Sequence, residues 1–167
     1  MEVKFKKLSD KAVLPSKAHS TDAGLDLTCV NITSEVNECG QFVLVYHTGI
    51  AAEIPVGHVG LLFQRSSVYK KSLTLTNAVG VIDSGYRGEI LLKFKNTSGD
   101  SIPAVYSIGD RIAQLVIMPY PEIEPVFADN LSESDRGEGG YGSSDKETSA
   151  DVNNPAAEPT EGSESDK

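Results

Sequence analysis

GEILLKFKN, residues 88–96, alternates in character: Ile90, Leu92 and Phe94 fall on one face of an extended chain, and Glu89, Lys93 and Lys95 on the other. Successive side chains of a strand point to opposite sides, so this stretch reads as a strand with one face in a core and the other polar. Outward from it, QFVLVYHTGIAAEIP (41–55), VGLLF (59–63) and RIAQLVIMP (111–119) are equally rich in Val, Ile, Leu, Phe and Tyr, with Gly, Pro, Asn and Asp clusters between them. Only RSSVYKKSL (65–73) has room for one or two turns of helix. Strands that follow one another without intervening helices give an all-β expectation, a distorted jelly-roll β-barrel.

The strand pattern continues to about residue 128, whereas from Ser132 the composition turns to Ser, Glu, Asp and Gly. The chain of 167 residues therefore divides into a β-barrel domain (1–131), a glycine-rich arm (132–144) and an acidic tail (145–167). Seven acids in the tail (Asp145, Glu147, Asp151, Glu158, Glu161, Glu164, Asp166) oppose only Lys146 and Lys167, so it is expected to remain solvated and disordered. It carries more than half of the chain's net charge of -9, and the remainder is only mildly acidic. That balance lacks the basic surface that nucleic acid or an anionic membrane requires, so neither is expected as a partner. No apolar run approaches a membrane span, and MEVKFKKLSD lacks the hydrophobic stretch of a secretory signal, which points to the cytoplasm. Cys29 and Cys39 have neither metal-ligand spacing nor the density of a disulfide scaffold, and His19, His47 and His58 are scattered. A metal acting here is expected to be a hard one.

Three stretches set charge beside glycine-rich backbone: AHSTDAGLD (18–26), NAVGVIDSGYRGE (77–89) and RGEGGYGSS (136–144). In the last, Gly137, Gly139, Gly140 and Gly142 free the backbone to present N–H groups, while Arg136, Ser143 and Ser144 add donors and Tyr141 a flat ring. A phosphate-binding arm and a flexible linker fit this stretch equally well. Asp83 ends the apolar run from Val79 to Ile82 and precedes the turn SGYRG, which places it at a hairpin tip. There it can orient and deprotonate a water, with Tyr86 packing on a sugar, or it can simply cap the turn. Ser66 and Ser67 read as phosphate donors or as the cap of a short helix.

Five stretches, AHSTDAGLD, FQRSSVYKK (63–71), NAVGVIDSGYRGEI (77–90), GDRIAQLVI (109–117) and RGEGGYGSS, resemble in order and spacing the five motifs of the trimeric dUTPase family. The resemblance implies a jelly-roll subunit in a homotrimer whose active sites are shared between subunits. It implies hydrolysis of dUTP to dUMP and pyrophosphate, which limits uracil in DNA and supplies dUMP for thymidylate synthesis. Asp83 matches the aspartate that activates the water attacking the α-phosphorus. Asn77 and the backbone of the hairpin from Gly80 to Tyr86, including Gly80, Val81 and Ile82, would read the uracil edge, and Tyr86 would pack on the deoxyribose where a 2'-hydroxyl would clash. Arg65, Ser66, Ser67 and Gln114 would line the triphosphate from a neighbouring subunit. Arg136, Tyr141, Gly142, Ser143 and Ser144 would close from a third, the ring over uracil and the donors on the γ-phosphate. Mg2+ would be held mainly by the phosphates, with Asp26 reaching its water shell.

The second motif reads Gln64-Arg65-Ser66-Ser67 where the family usually has Pro-Arg-Ser-Gly; Tyr141 replaces the commoner Phe, and Asp145 stands where a Gly often follows. Among rival enzymes, dCTP deaminases share the fold and the RSS form of that motif. They place a catalytic glutamate where this chain has Lys93, and they lack the glycine-rich fifth motif. A non-catalytic nucleotide-binding protein on the same scaffold, signalling through its acidic tail, is the rival from a different class.

Overall fold

A computed structural model of the chain describes residues 1–98 and 104–140. Its strands are β1 (Lys4–Lys7), β2 (Leu25–Thr28), β3 (Asn31–Val36), β4 (Phe42–His47), β5 (Ile50–Glu53), β6 (His58–Gln64), β7 (Leu73–Leu75), β8 (Gly80–Ile82), β9 (Leu91–Asn96) and β10 (Arg111–Pro119). Apart from them, one 3-10 turn, Ser66–Lys70, falls where the sequence left room for a helix. The chain divides into two units, Met1–Ile123 and Glu124–Lys167, and among the described residues the strands all belong to the first. The acidic tail, 145–167, lies outside the described residues.

Two four-stranded sheets, ordered β2-β10-β6-β8 and β3-β4-β9-β7, and the pair β1-β5 make the jelly roll; every named strand pair is antiparallel. The alternation in GEILLKFKN is realised: Ile90, Leu92 and Phe94 are each at most 1% exposed, and they join Leu27, Tyr46, Leu62, Ile112 and Leu115 in one core. Tyr46, Phe94 and Tyr106 meet edge to face there, with centroids 5.5–6.0 Å apart, the arrangement that the ring quadrupoles favour. Cys29 is buried, Cys39 is exposed, and both are free thiols.

Within this core the Tyr106 hydroxyl meets the geometry of a hydrogen bond with no group among the described residues; burial pushes its pKa above the usual tyrosine value, and the nearby Ser67 hydroxyl acts in the opposite direction. A buried donor left unpaired costs about 1–3 kcal/mol, whereas removing the polar atom while keeping the ring costs little. Tyr106→Phe is therefore expected to hold or raise stability by about 1 kcal/mol in urea denaturation. A loss of that size would show that the hydroxyl is bonded after all.

The expected hairpin at Asp83 is not a two-stranded ladder. Strand β8 pairs with β6 and β9 pairs with β4 and β7, so the two strands on either side of the turn belong to different sheets. The turn itself forms, with the Tyr86 amide donating to the Asp83 carbonyl at 3.0 Å. Alternation and turn residues mark strand, turn, strand, but they carry no information about which neighbour each strand chooses. The choice matters, because strands that diverge leave a cleft between them.

Candidate active site

Asp26 gathers three of the sequence motifs. It lies in β2, opposite Gln114 of β10, which in turn lies opposite Phe63 of β6. Arg65, one residue beyond β6, donates from Nε to Asp26 Oδ1 at 3.0 Å, Arg111 Nη1 donates to Oδ2 at 2.9 Å, and Gln114 Nε2 approaches Oδ1 at 3.4 Å. Asp26 is 6% exposed, and a buried charge of this kind persists only when it is paired. Gly24 makes the contact with Gln114 close, since a Cβ there would stand 3.0 Å from Gln114 Cβ. A register shift between Arg111 and Ala113 buries Ile112 and Ala113 consecutively, and Arg111 reaches Asp26 from beside it. Bulges commonly re-aim a side chain in this way beside a functional site. Arg111 was not singled out from the sequence, although it sits inside GDRIAQLVI; its signal was a cation available to a buried acid in a neighbouring motif.

Ser66 and Ser67 open the 3-10 turn beside Arg65. No side chain caps that turn, so the capping role open to these serines is not the one they fill. In the first motif, the His19 amide donates to Asp22 Oδ2 at 2.8 Å, and this bond holds the Asp22 carboxyl below the usual aspartate value.

Asp83 and Tyr86 line a cavity of about 160 Å³ with Val81, Ile82, Glu89, Ile90 and Leu91. Next to it, sharing Val81, Ile82 and Leu91, a cavity of about 230 Å³ is lined by Asn77, Gly80 and Lys93 among others. Both lie in the gap between β8 and β9. The turn is tied to itself: Arg87 Nη1 donates to the Ser84 and Tyr86 carbonyls at 2.6 and 2.9 Å, and the Tyr86 hydroxyl donates to the Glu89 carbonyl at 3.0 Å. The Tyr86 ring lies so close over Gly88 that a Cβ there would fall 2.3 Å from its oxygen. Asn77 precedes Ala78, which adopts the left-handed region at φ 57°, a strained state for a residue with a side chain. Lys93 Nζ pairs with Glu35 Oε1 at 2.6 Å, so an ammonium occupies the position where the deaminases are expected to carry a carboxylate.

The residues picked out by the sequence thus form two groups within one chain. Gly60 pairs with Ile82, which sets Asp83 level with Val59, whereas Arg65 lies past the far end of β6. Arg65 is six positions on from Val59, about 20 Å at roughly 3.3 Å per residue. In the second unit, Arg136 Nε donates to the Gly139 carbonyl at 2.8 Å across a local turn. Tyr141, Gly142, Ser143 and Ser144 lie outside the described residues.

A family model for dUTPase matches residues 10–145. The chain belongs to the dUTPase family. A deoxyuridine 5'-triphosphate nucleotidohydrolase of Rhodococcus erythropolis is 42% identical to this dUTPase-family chain over 168 residues, covering 97% of each. Among solved structures, a variant of the Staphylococcus bacteriophage 80alpha dUTPase with dUpNHpp matches at 32% identity and a TM-score of 0.72, covering 86% of this chain and 98% of that one. A variant dUTPase from phage phi11 of S. aureus, described for its coordination of a structural Mg(II) ion, matches at 28% identity and a TM-score of 0.65, covering 78% and 99%.

Proposed function

We propose that this chain hydrolyses dUTP to dUMP and pyrophosphate in the cytoplasm, as a homotrimer with active sites shared between subunits. The observation that carries the reading is the cleft between β8 and β9, with Asp83 and Tyr86 at one end and Asn77 at the other. Uracil would enter it edge-on to Asn77 and the Gly80–Ile82 backbone, with deoxyribose against the Tyr86 ring. Asp83 would accept a proton from the water that attacks the α-phosphorus, the bond to the β-phosphate would break, and pyrophosphate would leave. Phosphoryl chemistry asks the protein chiefly for positioning and for donors around the phosphate oxygens. Arg65, Ser66, Ser67 and Gln114 are those donors. Measured along β6 from the level of Asp83, Arg65 and the two serines lie about 20 Å away and Gln114, opposite Phe63, about 13 Å, which supports assigning them to the neighbour's site.

Mg2+ would arrive with the triphosphate and keep much of its water. Mg2+ would neutralise charge on the phosphate oxygens. Asp26 is the carboxylate in the arginine group, and with three donors already on it one acceptor position remains for a metal-bound water. From a third subunit, Arg136, Tyr141, Gly142, Ser143 and Ser144 would close over the base and the γ-phosphate. Among the described residues no helix is long and apolar enough to cross a membrane.

Pyrophosphate release from dUTP, dTTP, dCTP and UTP, with and without EDTA and with ammonia followed for dCTP, tests the reading. We expect strong preference for dUTP and loss of turnover on chelation. Ammonia from dCTP would replace the assignment with a deaminase, and tight dUTP binding without turnover would leave a binding protein.

A further inference from the structure

Glu89 has no part in the chemistry above, yet it is among the most heavily engaged side chains around the cleft. Its Oε1 accepts the Gly49 amide at 2.7 Å, and its Oε2 faces His47 Nδ1 at 3.2 Å. His47 is itself fixed by Thr33, whose Oγ1 lies 2.9 Å from Nε2. Through its main chain Glu89 does something else: its carbonyl accepts the Tyr86 hydroxyl. One residue therefore joins the corner between β4 and β5 to the ring that packs on the sugar.

The next residue makes that link separable from the fold. Ile90 is wholly buried, its amide donates to the Ile50 carbonyl at 2.9 Å, and its carbonyl accepts Thr48 Oγ1 at 2.7 Å. These bonds keep β9 in place without Glu89. What the Glu89 side chain adds is control of the peptide one step nearer the turn, where Gly88 lies flush under the Tyr86 ring. Glycine offers no side chain to fix that segment, so its position depends on the anchor that follows.

We infer that Glu89 is a positioning residue for sugar discrimination: clamped by Gly49 and His47, it sets the height of the Tyr86 ring in the cleft and so the clearance left for a 2'-substituent. The inference rests on the proposed dUTP hydrolysis. A carboxylate accepting a main-chain amide makes a strong, short bond, and a shift of about 1 Å in a group that meets substrate is enough to change rates severalfold to a hundredfold.

The test is the ratio of kcat/KM for dUTP to that for UTP, which does not depend on how much of a preparation is folded. In Glu89→Ala we expect the ratio to fall about tenfold or more, mainly through gained UTP turnover relative to dUTP. Glu89→Gln keeps an oxygen for the Gly49 amide and should stay within about threefold of the parent. Glu89→Asp, one methylene too short to reach both partners, should fall between them and carries the test if the alanine variant does not fold. An unchanged ratio in Glu89→Ala or Glu89→Asp overturns the inference while dUTP hydrolysis stands. A parent enzyme that hydrolyses dUTP without preferring it to UTP overturns the inference alone, and one that does not hydrolyse dUTP overturns both.

Discussion

Asp83→Asn is expected to lower kcat for dUTP at least about a hundredfold, the usual scale for a lost general base. The substitution preserves size and hydrogen bonding at the turn, so the Tyr86 amide keeps its acceptor, which is the main-chain carbonyl of residue 83 rather than its side chain. The cleft lining of Val81, Ile82 and Tyr86 is unchanged, so dUTP still binds. What disappears is the carboxylate to which the proposed mechanism gives the water's proton. Steady-state turnover, set beside dUTP binding by calorimetry, reads the two separately: binding near the parent's value with turnover lost is the expected pair. Turnover retained at the parent's rate would remove Asp83 from the mechanism.

Asp26→Ala is the second large effect, and it acts on stability as well as on rate. It strips the shared acceptor from Arg65, Arg111 and Gln114. Breaking a fully buried ion pair by removing one partner costs about 3–5 kcal/mol. Here the arginine side chains are 24% and 51% exposed, so water takes up part of the unpaired charge, and about 2–3 kcal/mol is the expected loss. The freed Arg65 and Gln114 no longer present their donors in fixed positions, so KM for magnesium-dUTP rises as well. Urea denaturation at fixed protein concentration measures the first effect and steady-state kinetics the second. A variant as stable as the parent would mean that Asp26 is not the keystone of this cluster.

The alternation of Ile90, Leu92 and Phe94 was legible because burial on one face is a property of consecutive residues, and the same holds for β4, β6 and β10. Strands β1 (KFKK) and β3 (NITSEV) were not, since nearly all their side chains are exposed and they exist through ladders to β5 and β4. An edge strand of polar residues looks like a loop until its partner is known. The same limit produced the mistaken hairpin: β8 is three residues long, and its pairing with β6 rather than β9 is a tertiary choice. Of the site, the motifs named Asp26, Arg65 and Gln114, but their convergence depends on the order β2-β10-β6, and the approach of Arg111 depends on a register shift that no local pattern announces. Glu89 reads as the polar face of a strand, but it lies ahead of β9, and the alternation is silent about its bonds to Gly49 and His47.

The separation of Asp83 from Arg65 within one subunit makes the account testable by mixing. Asp83→Asn and Arg65→Ala chains, each expected to be inactive alone, are co-expressed with different tags and the mixed trimers that the account predicts are isolated. In such a trimer one site pairs an intact Asp83 from the Arg65→Ala chain with an intact Arg65 from the Asp83→Asn chain. Recovery of dUTP hydrolysis to a substantial fraction of the parent rate is the predicted result. Mixed trimers as inactive as either parent variant would contradict a site built from two subunits.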